Sequence, residues 1–368
     1  MKATLRAVLV GVVLFGIVRG ASALDVTATV AEADRLLAAG DFDGALRAAN
    51  EAVSAGPADP EALHCRFWVY VARAQDEDAL ADINRAIELA GQNATYLAAR
   101  GKLRLARQEY ETAVNDFDAA IAADAAYALA WRLRAKVRLR QGRLHAAIKD
   151  AREAVRLAPD DATVYLVRGD VLEALSERAK ARADYVKATE LDPKSAAAWY
   201  RMGRHELFDT GDPASAMPAL DKALSLDPTF ASAYVLRARA KLATGKKAQR
   251  ASALDDLAAA LRIEPDFAEA YFLRADAERA AEDYAAAVAD LRRALALDPD
   301  NAAYRALWDE IHRGDSERLM DEAEKLLNKG KYDAAAERVR KALEIDPQSA
   351  ALHEALLIIE AQREAHED

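Results

Sequence analysis

The chain has one cysteine, Cys65, so no internal disulfide can brace it. A single thiol serves either as a small buried apolar residue or as a free reactive group, and packing is the expected use here. Aromatic residues are only 7% of the 368, although 52% are hydrophobic, so the apolar content is mostly small and aliphatic, alanine above all. Alanine is the best helix former and lets helices approach closely. Glycine (15) and proline (10) are too scarce for a fibrous or disordered chain. Basic residues are in deficit, and the net charge of -10 argues against nucleic-acid binding by the whole surface. There is no phosphate-binding glycine loop, no G-x-S-x-G and no H-E-x-x-H. The six histidines, His64, His145, His205, His312, His353 and His366, have no partner at ligand spacing, so neither a metal site nor a cofactor is expected. Catalysis is not expected either.

Long apolar runs are also missing. The longest near the start covers residues 7–18, too short for a comfortable membrane span. Lys2 and Arg6 lie before it and Ala21-Ser22-Ala23 after it, the layout of a secretory signal cleaved after Ala23. The expected product is exported, periplasmic or secreted, with no stable membrane span. An uncleaved anchor is the alternative, because Arg19 lies so close behind the apolar run.

What is present in abundance is repetition. Units of 34 residues begin near residues 26, 60, 94, 128, 162, 196, 231, 268 and 316. The twentieth place holds Ala45, Ala79, Ala113, Ala147, Ala181, Ala216, Ala253, Ala287 and Ala335, and the twenty-seventh is alanine in every unit too. The eighth place is small throughout except for Phe67, so the second unit is expected to be splayed or repacked. Apolar spacings of three and four give two helices per unit, and two such helices cannot bury their stripes without a stacked neighbour. The seventh and twenty-third places pair arginine with aspartate: Arg66/Asp82, Arg100/Asp116, Arg134/Asp150, Arg168/Asp184, Arg237/Asp256 and Arg274/Asp290. In the ninth unit the signs are exchanged, as Glu322 and Arg338. These are expected to be ion pairs between the helices of one unit, worth about 0–1 kcal/mol each if exposed.

The regular spacing fails late. The sixth unit gains one residue near Gly211 and the seventh gains three near Gly245, both expected as loops protruding between helices. Residues 302–315 are surplus and carry Tyr304, Leu307, Trp308 and Ile311 at helical spacing, as a half-unit would. The expected organisation is a leader over 1–23, eight repeats over 24–301, the half-unit over 302–315, a ninth repeat over 316–349 and a capping helix over 350–368. Leu357 and Ile358 broaden the apolar face of that last helix, for core packing or for a partner or second copy.

With an aromatic fourth place (Trp131, Tyr165, Trp199, Tyr234, Tyr271), small eighth and twentieth places and a closing proline (Pro57, Pro159, Pro193, Pro228, Pro265, Pro299, Pro347), the array resembles the tetratricopeptide-repeat family over about residues 26–349. The resemblance implies an all-α, right-handed superhelical solenoid of antiparallel helix pairs. It also implies protein-binding or scaffolding work, with the second, fifth and ninth places of each first helix facing a concave groove. The ninth places read Asp34, Trp68, Lys102, Lys136, Asp170, Arg204, Arg239, Asp276 and Glu324. Arg132 and Tyr200 join them from fifth places, and Arg201 stands one place on. This basic centre suits an acidic segment or a chain-terminal carboxylate. The alternative is a ladder of contacts between units, Lys136–Asp170–Arg204, with no ligand. Trp68 is either a binding hot spot or filler beside Phe67. The expected role is an exported scaffold or adaptor for a protein or peptide partner in envelope or secretory assembly. A holdase of a secretory compartment and a binder of anionic envelope polymers are the alternatives.

Overall fold

The computed structural model describes residues 21–367. Of the expected leader, residues 1–20 lie outside that range, and Ala21, Ser22 and Ala23 open the first helix. Among the described residues there are nineteen helices and no strand, paired in sequence order as a solenoid of antiparallel helix pairs. The chain divides into two compact bodies, Met1–Pro193 and Lys194–Asp368.

The first body holds five pairs: α1 (Ala21–Ala38) with α2 (Phe42–Ala55), α3 (Pro60–Ala72) with α4 (Asp76–Ala90), α5 (Ala94–Ala106) with α6 (Tyr110–Ala123), α7 (Ala128–Arg140) with α8 (Leu144–Leu157), and α9 (Ala162–Ala174) with α10 (Arg178–Leu191). Three of these first helices, α3, α5 and α9, start on side-chain caps. Asp59, Asn93 and Asp161 each accept hydrogen bonds from amides that the helix itself leaves without a partner. First helices stop at one left-handed residue: Ala74 (φ 63°), Gln108 (φ 63°), Gly142 (φ 71°) and Ser176 (φ 61°) stand at the same place in successive units. The next amide then reaches back to a carbonyl of the last turn, as from Glu109 N to Arg104 O at 2.9 Å.

The second body holds α11 (Ala196–His205) with α12 (Pro213–Leu226), α13 (Ala231–Ala243) with α14 (Lys247–Ile263), and α15 (Ala268–Arg279) with α16 (Tyr284–Leu297). They are followed by α17 over 302–327, α18 (Tyr332–Ile345) and α19 (Ala350–Glu367). The surplus residues 302–315 are helical and continue into the first helix of the last pair without a turn, through a π-helical stretch at Glu310–Asp315. The two insertions do not protrude as loops. The extra residue of the sixth unit is taken up in a π-helical turn, Glu206–Thr210. The three extra residues of the seventh lengthen α14 to 17 residues, where α10 and α12 have 14. Both solutions keep the added backbone groups hydrogen-bonded within a helix.

The alanine columns explain the close packing. Every alanine at the twentieth and twenty-seventh places is fully buried. The eighth place is matched in size to the twenty-fourth. A Cβ on Gly101 would fall 2.6 Å from the Phe117 ring, and one on Gly169 2.6 Å from the Tyr185 ring, so these glycines leave room for the rings. Phe67 reverses the arrangement. It is fully buried in a cluster with Ile83 from its own pair and Ala99 and Leu103 of the next, so the second unit is repacked across the boundary between pairs.

All six arginine–aspartate pairs form, as does the exchanged Glu322–Arg338 pair at 3.2 Å. They differ from exposed pairs. Asp82, Asp116, Asp150, Asp184, Asp256 and Asp290 are buried, and most of their arginines grip them with two nitrogens, as Arg168 does Asp184 at 2.7 and 2.6 Å. Several also reach back to the preceding pair: Arg66 to Asn50 (3.0 Å), Arg100 to Asn84 (2.7 Å), Arg134 to Asp118 (2.5 Å) and Arg237 to Asp221 (2.6 Å). The ladder therefore fixes both the pairing within a unit and the step to the next. At the chain's end Leu352 and Ile359 of α19 are buried on the last pair, while Leu357 and Ile358 remain exposed.

Candidate functional site

In the first body the first helices lie side by side, α1 against α3, α5 against α7 and α7 against α9. Their shared face gathers Trp68, Lys102, Arg132 and Lys136. Trp68 is half-buried on α3, and its indole Nε1–H donates to His64 Nε2 at 3.0 Å. That bond places the His64 proton on Nδ1. The His64 ring in turn lies 4.9 Å from that of Tyr96. The Lys102 ammonium sits 4.5 Å from the centre of the Trp68 ring, at cation–π distance. Trp68 and Phe67 are in edge contact at 4.7 Å, so Trp68 is packed and presented at the same time.

Burial, reinforced by Arg132 and Lys136, pulls the Lys102 pKa down to about 8. Burial, with Lys102 assisting, pulls His64 down to about 4. Burial also lowers Arg132, against the opposing pull of Asp161 and Tyr127. These shifts share one origin, burial, to which neighbouring cations add at Lys102 and His64. At the edge of this face, burial raises Asp34, whose Oδ1 lies 3.6 Å from the Cys65 sulfur. The Cys65 thiol is buried, and burial together with Asp34 pushes its pKa up, so it is a packing residue and a poor nucleophile.

Helix α7 carries five basic residues and no acidic one. Arg134 and Arg138 turn to Asp150, at 2.8 and 2.7 Å. Arg132, Lys136 and Arg140 stand at i, i+4 and i+8 on another face. Arg132 and Arg140 form no ion pair with any described residue, and Arg132 Nε is buried without a hydrogen-bond partner. Like charges at this spacing cost a helix about 0.2–0.5 kcal/mol per pair. Arg140 recovers part of that through the negative end of the helix dipole. Arg132 stands at the opposite end and recovers none.

The other anticipated residues are placed differently. Asp170 on α9 accepts a hydrogen bond from the Tyr185 hydroxyl at 3.0 Å. Tyr200, Arg201, Arg204 and Arg239 belong to the second body. Tyr200 packs on Phe230 with ring centres 4.8 Å apart, and Arg201 and Arg204 are half-buried on α11. Arg239 is paired with Glu269 at 2.5 Å and lies over the exposed ring of Phe208 at 5.8 Å. Tyr96 and Arg140 are members of the first-body face that counting by inward places passes over, whereas His64 stands at an inward fifth place. Arg140 was detectable as the third member of a four-residue spacing along one helix.

Among the described residues no helix is long and apolar enough to cross a membrane. No curated protein matches the sequence. The crystal structure of a tetratricopeptide repeat protein from Parabacteroides merdae aligns over 68% of this chain and 98% of its own, with 18% identity and a TM-score of 0.53, and so shares the fold. The crystal structure of MamA protein is 25% identical over 47% of this chain and 94% of its own, with a TM-score of 0.38. That of YrrB, described as a TPR protein with an unusual peptide-binding site, is 21% identical over 52% and 96%, with a TM-score of 0.40. Models of the tetratricopeptide repeat match residues 98–162, 166–231, 268–301 and 320–368, together more than half of the sequence. With its helix pairs, alanine columns and matching repeat models, the chain belongs to the tetratricopeptide-repeat family, whose members serve as protein-interaction scaffolds.

Proposed function

We propose that this scaffold holds an acidic segment, or a chain-terminal carboxylate, of a partner protein against the first-helix face of its first body. It does so after export, in envelope or secretory assembly, the setting that the leader-like residues 1–23 suggest. The observation that carries the reading is the grouping of Lys102, Arg132 and Lys136 beside Trp68, close enough that Arg132 and Lys136 add to the depression of Lys102. A desolvated cation cluster gains most from a ligand that brings negative charge and charge-assisted hydrogen bonds. Trp68 and Tyr96 offer apolar surface held rigid by the His64 contacts.

The test is a paired capture experiment. The full chain and its Lys102→Glu/Lys136→Glu variant, both checked for helicity and cooperative melting, are immobilised and exposed to extract of the native compartment. A protein retained by the first and lost from the second supports the reading, and equal retention overturns it. The regular charge spacing on α7 favours a second reading, a linear anionic polymer as ligand. Polymer binding would collapse as ionic strength rises, whereas a segment that also buries apolar surface on Trp68 would be partly retained.

A further inference from the structure

Phe42, Phe208 and Ile263 are exposed singly, but Leu357 and Ile358 on α19 are adjacent, 67% and 50% exposed. Single exposed apolar residues are ordinary. A group of them on the outer helix of a repeat array stands where the array needs a polar face. The side of α19 turned to the last pair is already apolar: Leu352 and Ile359 are buried there, with Ala355 and Leu356 packed beside them. Leu357 and Ile358 are surplus to that core.

The repeat register says what such a face meets. Helix α19 starts three residues after Pro347, as α11 does after Pro193 and α15 after Pro265, so it is a first helix and Leu357 is its eighth place. In every pair before it the eighth-place residue is buried. Gly101, Gly169 and Gly203 lie there against Phe117, Tyr185 and Leu220 of their own second helices. Among the described residues α19 has no second helix of its own. The open place is therefore one that elsewhere in this fold receives a helix.

Charge selects among helices. Glu354 stands one turn before Leu357 and Glu364 one turn after Ala361, all of them exposed. Neither carboxylate is in an ion pair with a described residue. Glu360 and Arg363, by contrast, fasten α19 to α18 through Arg340 (2.7 Å) and Asp333 (3.1 Å). A second copy pairing through this face would add carboxylates to its rim and neither lysine nor arginine, so like charges oppose self-association. A helix whose apolar stripe is flanked by cations is complementary in both respects.

We propose that the outer face of α19, centred on Leu357 and Ile358, docks an amphipathic helix of a partner protein with lysine or arginine flanking its apolar stripe. That helix takes the place of a tenth second helix. The site belongs to the second body and does not depend on the acidic-segment reading, so either can fail alone. It is tested with the full chain and three labelled peptides of about eighteen residues, long enough to hold a helix. The first has leucines at i, i+3, i+4 and i+7, with lysines on either side of that stripe. The second has glutamates in place of the lysines. The third is the first with a central proline, which breaks the helix.

The first peptide is expected to bind about tenfold or more tighter than the other two, and to lose about tenfold or more against Leu357→Gln/Ile358→Gln. Both residues are exposed, so that variant should match the wild type in helicity and melting. Glu354→Lys/Glu364→Lys, which leaves the apolar residues in place, should reverse the preference between the first two peptides. Equal affinity of the first peptide for wild type and the glutamine variant overturns the proposal. So does equal binding of the proline peptide, or a preference that the charge reversal leaves unchanged. A wild-type dimer in sedimentation that the glutamine variant does not form would assign the face to a second copy and also overturn it.

Discussion

Glu278 should make the second body less stable as pH rises from about 5 to about 8. Its place in the repeat explains why. In three other pairs the eleventh residue is a cation that reaches the buried aspartate: Arg104 to Asp116 (2.8 Å), Arg138 to Asp150 (2.7 Å) and Lys241 to Asp256 (2.6 Å). On α15 that residue is Glu278, facing the buried Asp290, with Arg274 Nε 3.8 Å from its Oε1. Its Oε2 is buried without a hydrogen-bond partner. Burial first, and Asp290 next, push its pKa up to about 7 from the ordinary 4.5. Between those two values the folded protein binds more protons at this site than the unfolded chain does, so stability falls as pH rises through the window. It is fully present below about 4.5 and lost above about 7. The full shift corresponds to about 3 kcal/mol, an upper limit for a side chain that keeps some solvent contact. Glu278→Gln should therefore change little at pH 5 and stabilise at pH 8, and Glu278→Lys, which restores the pattern of the other pairs, should do so further. Urea melts of wild type and variants at the two pH values provide the assay. His64, depressed to about 4, contributes the opposite slope between about 4 and 6.5, so the difference between variant and wild type is the quantity to read. A Glu278→Gln variant no more stable than wild type at pH 8, or equally stabilised at both, would refute the reasoning.

Two further perturbations test the packing. Gly101→Ala drives a Cβ to 2.6 Å from the Phe117 ring and should cost about 1–3 kcal/mol, with much of the loss recovered when Phe117→Leu is added. A double-mutant cycle by denaturant melting reads that coupling, and additive losses would mean the two places are not matched. Gln108→Gly relieves a non-glycine residue at φ 63° and should stabilise the first body by about 1 kcal/mol, measured in the same way.

Residue columns made the architecture legible before any coordinates. Two alanine columns and one arginine–aspartate column each encode a contact that recurs with the unit, so the same residue types recur with it. The energetics of the column were less visible. The pairs look like surface ion pairs until the structure buries the aspartates, and removing one arginine, such as Arg168, then leaves a charge inside the protein. The insertions were visible as positions but not as shapes. One added residue can make a loop, a π turn or a longer helix, and the choice depends on which neighbours remain to satisfy the added backbone. Phe67 shows the same limit, because its ring is accommodated by residues of the next pair, a full unit away in sequence.

The candidate site was half legible for a related reason. Reading the ninth place unit by unit finds Trp68, Lys102 and Lys136, but it looks only across the helices and meets the sign change at Asp170. Reading along one helix finds what crosses no unit boundary: α7 alone carries five cations, and Arg134 and Arg138 are committed to Asp150. A helix does not keep like charges at i, i+4 and i+8 for its own stability, since each step is repulsive. Arg140 can be credited to the helix terminus, but Arg132 at the other end cannot, and its buried Nε is left without a hydrogen-bond partner. An arrangement that costs the isolated helix energy has to be offset by contacts outside that helix, and at Arg132 one of them is the pull of Asp161.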